Sequence, residues 1–201
     1  MRTAAFALAL TLPLAALAQQ PERFEFKGIA LGTAQAQFVE RFPLIRCQKS
    51  GDTLLADTLC RATREEACSF APPTLNSCGE QLAKDYSFGG VEVHMISAAF
   101  YDDALTSISL RFDSSAFQTL LGALEAGYGK PTKVEKEALQ TRAGAVYENT
   151  TATWRRGDSF LMATRYTSNI DTSSVRIALY SAITEFARRR KEGAKKGAKD
   201  L

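Results

Sequence analysis

Alternation of apolar and polar positions dominates the second half of the chain. Val91, Val93 and Met95 alternate with Glu92 and His94, and the run continues to Tyr101. Asp102-Asp103 marks a turn. Beyond it Thr106, Ile108, Leu110 and Phe112 fall on one face, with Ser107, Ser109 and Arg111 on the other. This reads as a hairpin with one wet face. Thr150 to Arg155 and Ser159 to Tyr166 predict two strands joined at Arg156-Gly157-Asp158, and Val175, Ile177 and Leu179 a last one. A short strand also precedes Gly28, in Phe24-Glu25-Phe26.

Helical spacing occurs twice. Phe38, Val39 and Phe42 form a stripe that Thr33 would cap and Pro43 ends. Phe117, Leu120, Leu121, Leu124 and Tyr128 form a longer one, capped by Ser114 or Ser115 and closed by Gly129 and Pro131. Residues 132–149 read as a polar connector. The order helix, strands, helix, strands predicts an α+β protein with helices packed on one face of antiparallel sheet, built as two tandem helix-plus-meander units. The units would run over 19–113 and 114–184, between a leader at 1–18 and a basic tail at 185–201.

The leader changes the expected compartment. Arg2, the apolar run Ala4 to Leu12 and the small residues of Ala16-Leu17-Ala18 follow the secretory pattern, with cleavage between Ala18 and Gln19. A periplasmic or secreted protein is expected. Cys47, Cys60, Cys68 and Cys78 agree with export, since an even cysteine set in an oxidising compartment reads as two disulfides of three alternative pairings. They would staple a loop at 47–80. The cluster lacks a C-x-x-C pair and has no histidine within it, so neither a zinc site nor a redox motif is expected.

The run Gly28-Ile29-Ala30-Leu31-Gly32-Thr33, followed by a helix ending at Phe42-Pro43, resembles small bacterial envelope proteins of the BamE/SmpA and beta-lactamase-inhibitor-protein type. The second helix, closing at Tyr128-Gly129-Lys130-Pro131-Thr132, is similar to the helix close of that group. The resemblance implies helices on an antiparallel sheet and a non-catalytic binding role, and it carries no functional residues over. The chain departs from BamE in lacking a lipid-anchored cysteine, and from the inhibitors in its crowded cysteines and basic tail.

Chemistry is sparsely signalled. The single histidine, His94, leaves little room for imidazole catalysis. Asp102-Asp103, Glu135 and Glu137 are the carboxylates that a hydrolase would draw on. No phosphate-cradling glycine motif occurs, and no cofactor or metal is expected. Trp154, Arg155, Arg156 and Tyr166 combine residue types that dominate binding hot spots, making them the candidate protein-binding residues. The tail carries Arg188, Arg189, Arg190, Lys191, Lys195, Lys196 and Lys199 against three acids, in a chain of net charge +3. It would offer an electrostatic arm to an anionic membrane surface. Without interleaved aromatics it does not suggest nucleic acid. The expected function is a non-catalytic exported binding module docking on an envelope protein; a protein inhibitor of an envelope or secreted enzyme and a carboxylate-dependent hydrolase are the alternatives.

Overall fold

The computed structural model describes residues 23–50, 56–141, 144–167 and 169–197, with side chains as far as residue 192. The expected leader, its cleavage point and Lys199 lie outside the described residues, as do the side chains of Lys195 and Lys196.

Small elements open the chain: β1 (Glu25–Phe26) pairs with β2 (Ile29–Ala30), and α1 (Gln35–Arg41) follows. Then come β3 (Arg46–Lys49), β4 (Thr58–Thr63), α2 (Arg64–Ala67) and α3 (Cys78–Asp85). A tight hairpin, β5 (Ser87–Phe88) with β6 (Val91–Glu92), leads into the long pair β7 (Met95–Tyr101) and β8 (Ala104–Asp113). After α4 (Phe117–Tyr128) the meander β9 (Lys133–Gln140), β10 (Val146–Arg156), β11 (Ser159–Thr164) and β12 (Thr172–Leu179) ends in α5 (Tyr180–Gly197).

The expected pair of tandem units on one-sided helices is not what forms. Eight strands build one continuous antiparallel sheet in the order β3-β4-β7-β8-β12-β11-β10-β9. The join is the pairing of β8 with β12, running from Asp113 opposite Thr172 to Ser107 opposite Ala178. Two separate sheets would leave these two strands as unpaired edges, each a row of unsatisfied backbone groups. Pairing them removes both.

Register puts apolar residues in rows on one face. Ala62, Ile96, Leu110, Val175, Ala163 and Ala152 are successive partners, and so are Cys60, Ala98, Ile108, Ile177, Leu161 and Trp154. On this face lie α1 and α4, which contribute Phe38, Phe117, Leu120 and Leu124 to a single apolar cluster. Phe38 packs between Phe42 (tilted) and Phe100 (edge-on), with ring centroids 4.9 and 5.4 Å away. Each such buried aromatic ring contributes roughly 1.5–3 kcal/mol. Gly89 turns the β5–β6 hairpin at a φ of 57°, against α4, where a Cβ would meet Leu120 Cδ1 at 2.6 Å. Only glycine fits there.

The opposite face carries α5, which contradicts a one-sided arrangement. Tyr180 packs on Phe160 at 4.9 Å and Phe186 on Tyr101 at 6.4 Å, while the Arg189 guanidinium sits 4.1 Å over the Tyr101 ring. Phe160 and Ala178, which point away from the main core, are buried. The helix therefore crosses one end of this second face and leaves the rest open.

Cysteine pairing is local: Cys47–Cys60 and Cys68–Cys78. Cys47 and Cys60 are direct partners across β3 and β4, and the second bridge ties the turn after α2 to the first residue of α3. The stretch expected to be loop thus carries two strands and two helices. Among the described residues no helix is long and apolar enough to cross a membrane. Disulfides of this kind fit an oxidising compartment.

Several local expectations shift for identifiable reasons. Thr33 does not cap α1; the Gln35 amide donates instead to the backbone and Oδ1 oxygens of Asp103, both at 3.2 Å, from the β7–β8 turn. Ser114 does not cap α4 either, and its hydroxyl donates to the Ile170 carbonyl at 2.7 Å. The expected connector contains β9, whose sequence KVEKEALQ shows no apolar face because it is an exposed edge strand. Its alternating Lys and Glu charges guard that edge.

Candidate functional site

The uncovered part of the second face is made by the residues that alternate with the core rows. One row crosses all eight strands: Arg46, Arg61, Ser97, Ser109, Arg176, Met162, Thr153 and Lys133 are successive partners. The next row runs Met95, Arg111, Ser174, Thr164, Thr151 and Glu135. The inner strands thus present short hydroxyl side chains with arginines standing among them. Among the described residues acids reach this face toward its rim, at Asp113, Glu135 and Glu137, and at Glu65 and Glu92 in the cleft beside Arg111.

The arginines differ in their partners. Arg46 lies 5.3 Å over the Phe70 ring, and Lys133 pairs with Glu135 at 2.8 Å. Among the described residues no carboxylate or carbonyl pairs with the side chains of Arg61, Arg111 or Arg176. Arg176 is half-buried between Ser109 and Met162, and its Nε is enclosed without a hydrogen-bond partner. Burial pushes its guanidinium below the ordinary value, since desolvation disfavours the charged form. Arginine remains charged there at neutral pH.

At the end of the face away from α5 the rows run into a cleft of about 420 Å³. Thr63, Arg64, Glu92, His94, Arg111 and Thr172 are among the residues that line it. A capping box between Thr63 and Glu66 fixes the start of α2 and so the position of Arg64. The Arg64 amide donates to the His94 carbonyl and the His94 amide to the Arg111 carbonyl, each at 2.7 Å. His94 therefore sits at the break between β6 and β7 rather than within a strand. Its Nε2 lies 3.4 Å from Asp113 Oδ2, and Arg64 pairs with Glu92 at 3.2 Å. Both pairs are solvent-exposed, so each contributes little to stability. The cleft is a polar end to the arginine face.

The residues singled out from sequence are dispersed. Trp154 belongs to the core: it is 2% exposed and its indole N–H donates to the Gly129 carbonyl at 2.7 Å, closing α4 onto β10. It cannot serve as a surface contact there. Arg155 lies 4.6 Å over the Tyr180 ring, and Arg156 lies 5.0 Å over Phe24 and 5.6 Å over Tyr128. Tyr166 packs edge-on to Tyr147 at 5.9 Å, with Arg165 over its ring. The expected hot spot is thus divided: Trp154 is in the core, Arg156 packs on Phe24 and Tyr128, and Arg155 and Tyr166 lie at opposite ends of the second face.

Tail residues are helical through most of their length. Arg188 bonds Glu185 and Glu192, each at 2.6 Å, and Arg189 bonds Glu185 at 2.6 Å. These guanidinium groups hold the Glu185 carboxyl down at about 2. Arg190 and Lys191 are exposed. Of the carboxylates, Asp103 caps α1, Glu135 pairs with Lys133, and Glu137 accepts from Asn149 Nδ2 at 3.2 Å.

Sequence reasoning placed Arg111 on a wet face and missed Arg61 and Arg176 as its companions. Their shared face follows from strand order, which nothing in their own neighbourhoods encodes. Compared with protein families, curated proteins and solved structures, the chain matches none.

Proposed function

We propose that the chain is a non-catalytic exported binding module that docks on an envelope protein through the open face of its sheet. One observation carries this reading: a broad stretch of sheet lined by serine, threonine, two methionines and three arginines without an ion pair among the described residues is left uncovered, while α5 closes only one end of it. Antiparallel sheets tolerate one wet face, but arginine and methionine are enriched where partners bind. The two disulfides support export. Exposed Arg190 and Lys191 extend the proposal to an anionic lipid surface, checked by membrane fractionation after removal of residues 187–201.

The test is site-specific photo-cross-linking in the cell that makes the protein. A photoreactive residue at Ser109, in the middle of the face, is expected to trap one dominant envelope protein. The same residue at Lys136, which points to the other side of the edge strand, is expected to trap none. Equal yields at both positions, or nothing from Ser109, would defeat the proposal. Should the trapped protein be an enzyme that the purified chain slows, the module acts as an inhibitor.

A further inference from the structure

We propose that the occupant of the open face is an extended acidic segment of a partner protein, whose carboxylates are taken by Arg61, Arg111 and Arg176. The proposal rests on the binding reading above and adds the chemistry of what is bound.

Charge complementarity is the first argument. Arg61, Arg111 and Arg176 have no paired carboxylate among the described residues; Glu92, in the cleft beside Arg111, is taken by Arg64, and Arg176 stands among uncharged side chains. A guanidinium presents a planar fork that matches a carboxylate in two parallel hydrogen bonds. Arg176 is the centre of the site. Its Nε is already withdrawn from water and unpaired, so part of the desolvation of this guanidinium is already incurred in the free protein.

Spacing is the second. Arg111 is opposite Ser174, two residues from Arg176 along β12, which makes the two arginines diagonal neighbours roughly 7–8 Å apart. Arg61 and Arg176 are three strands apart in the same row, about 14 Å at the usual strand separation. An extended chain covers that distance in about four residues, and residues four apart in an extended chain project to the same side. Acidic residues at every fourth position would therefore meet both arginines at once. Other polyanions fit less well. The two rows that hold the arginines carry no aromatic ring for base stacking, and Tyr147 and Tyr166 toward the edge pack on each other. The large exposed apolar side chains, Val134, Val146 and Ile183, lie outside the open rows and provide no anchor on this face for a lipid surface.

Fluorescence anisotropy with the purified chain tests this. The probe is a fluorescein-labelled peptide with glutamate at every fourth position and serine or glycine between, against a counterpart with lysine for glutamate. The glutamate peptide is expected to bind, to weaken as salt rises, and to lose roughly tenfold or more in affinity with Arg176→Gln and with Arg111→Gln. Arg176→Lys keeps the charge and loses the fork, so a drop with unchanged circular dichroism isolates the geometry. Lys136→Gln, on the other side of the sheet edge, is expected to leave binding unchanged. Absence of peptide binding, indifference to Arg176→Gln, or tighter face-dependent binding of phosphatidylglycerol vesicles or single-stranded DNA would overturn the proposal. If the peptide fails while Ser109 still traps one protein, the binding module stands and its acidic occupant does not. If the peptide binds and nothing is trapped, the reverse holds.

Discussion

Opening the two disulfides should cost the fold much of its stability, by an amount the structure lets one work out. The bridges Cys47–Cys60 and Cys68–Cys78 join residues 13 and 10 apart. In the chain-entropy treatment, loops of these lengths restrict the unfolded chain by about 3 and about 2.7 kcal/mol. Together they approach 6 kcal/mol, against a total of roughly 5–15 kcal/mol for a typical domain. The perturbation is Cys68→Ala with Cys78→Ala, then Cys47→Ala with Cys60→Ala, then both pairs. Cys60 is fully buried, so its replacement adds a small packing loss, which thiol reduction of the unmutated chain leaves out. At about 2–4 °C per kcal/mol for a chain of this size, each opened bridge should lower Tm by about 6–12 °C. Thermal melts followed by circular dichroism, with and without reductant, provide the comparison. A shift below about 2 °C for either bridge would refute the reasoning, because the unfolded chain would then gain little freedom from its release. A far larger loss for Cys47–Cys60 alone would show that the bridge holds β3 onto the sheet edge enthalpically.

Other expectations are independent of the bridges. Asp85 is buried and pairs with Arg41 at 3.1 Å, so Arg41→Met should destabilise by about 3–5 kcal/mol in urea titration, and adding Asp85→Asn should restore most of it. Trp154→Phe removes the bond to Gly129 and should cost about 1–2 kcal/mol, while the native tryptophan should show blue-shifted emission that moves red on unfolding. Tyr86 is buried, and burial pushes its phenol well above the ordinary value of 10.0; the folded form therefore holds a proton that the unfolded form releases. Its contribution is intact below pH 10 and is lost as pH rises beyond it, so ultraviolet titration should show Tyr86, and Tyr128 with the same direction of shift, ionising after the exposed tyrosines.

Much of the architecture could be read locally. The β7–β8 hairpin announced itself through strict alternation, and its turn is formed by Asp102 and Asp103 at φ of 48° and 60°. The long stripe from Phe117 is α4, because one helical face met a core along its whole length. β9 was invisible for the opposite reason: an edge strand with both faces wet needs no apolar period. The cysteine stretch looked like loop because β4 shows only Cys60 and Ala62 to the core, too short a pattern to register. Alternation with Ala152 puts Trp154 on the apolar side of β10, where it is buried, while its two arginine neighbours give the segment its polar look.

By itself the sequence determined which segments alternate, where the long helix stops and that one sheet face would be wet, because these depend on neighbours within a few residues. Only the tertiary structure decided that β8 pairs with β12, that α5 folds back over one end of the second face, and that Arg61, Arg111 and Arg176 share what remains open. These are consequences of strand order. Backbone pairing brings together residues 59 to 71 positions apart, and no local periodicity records which edge will meet which.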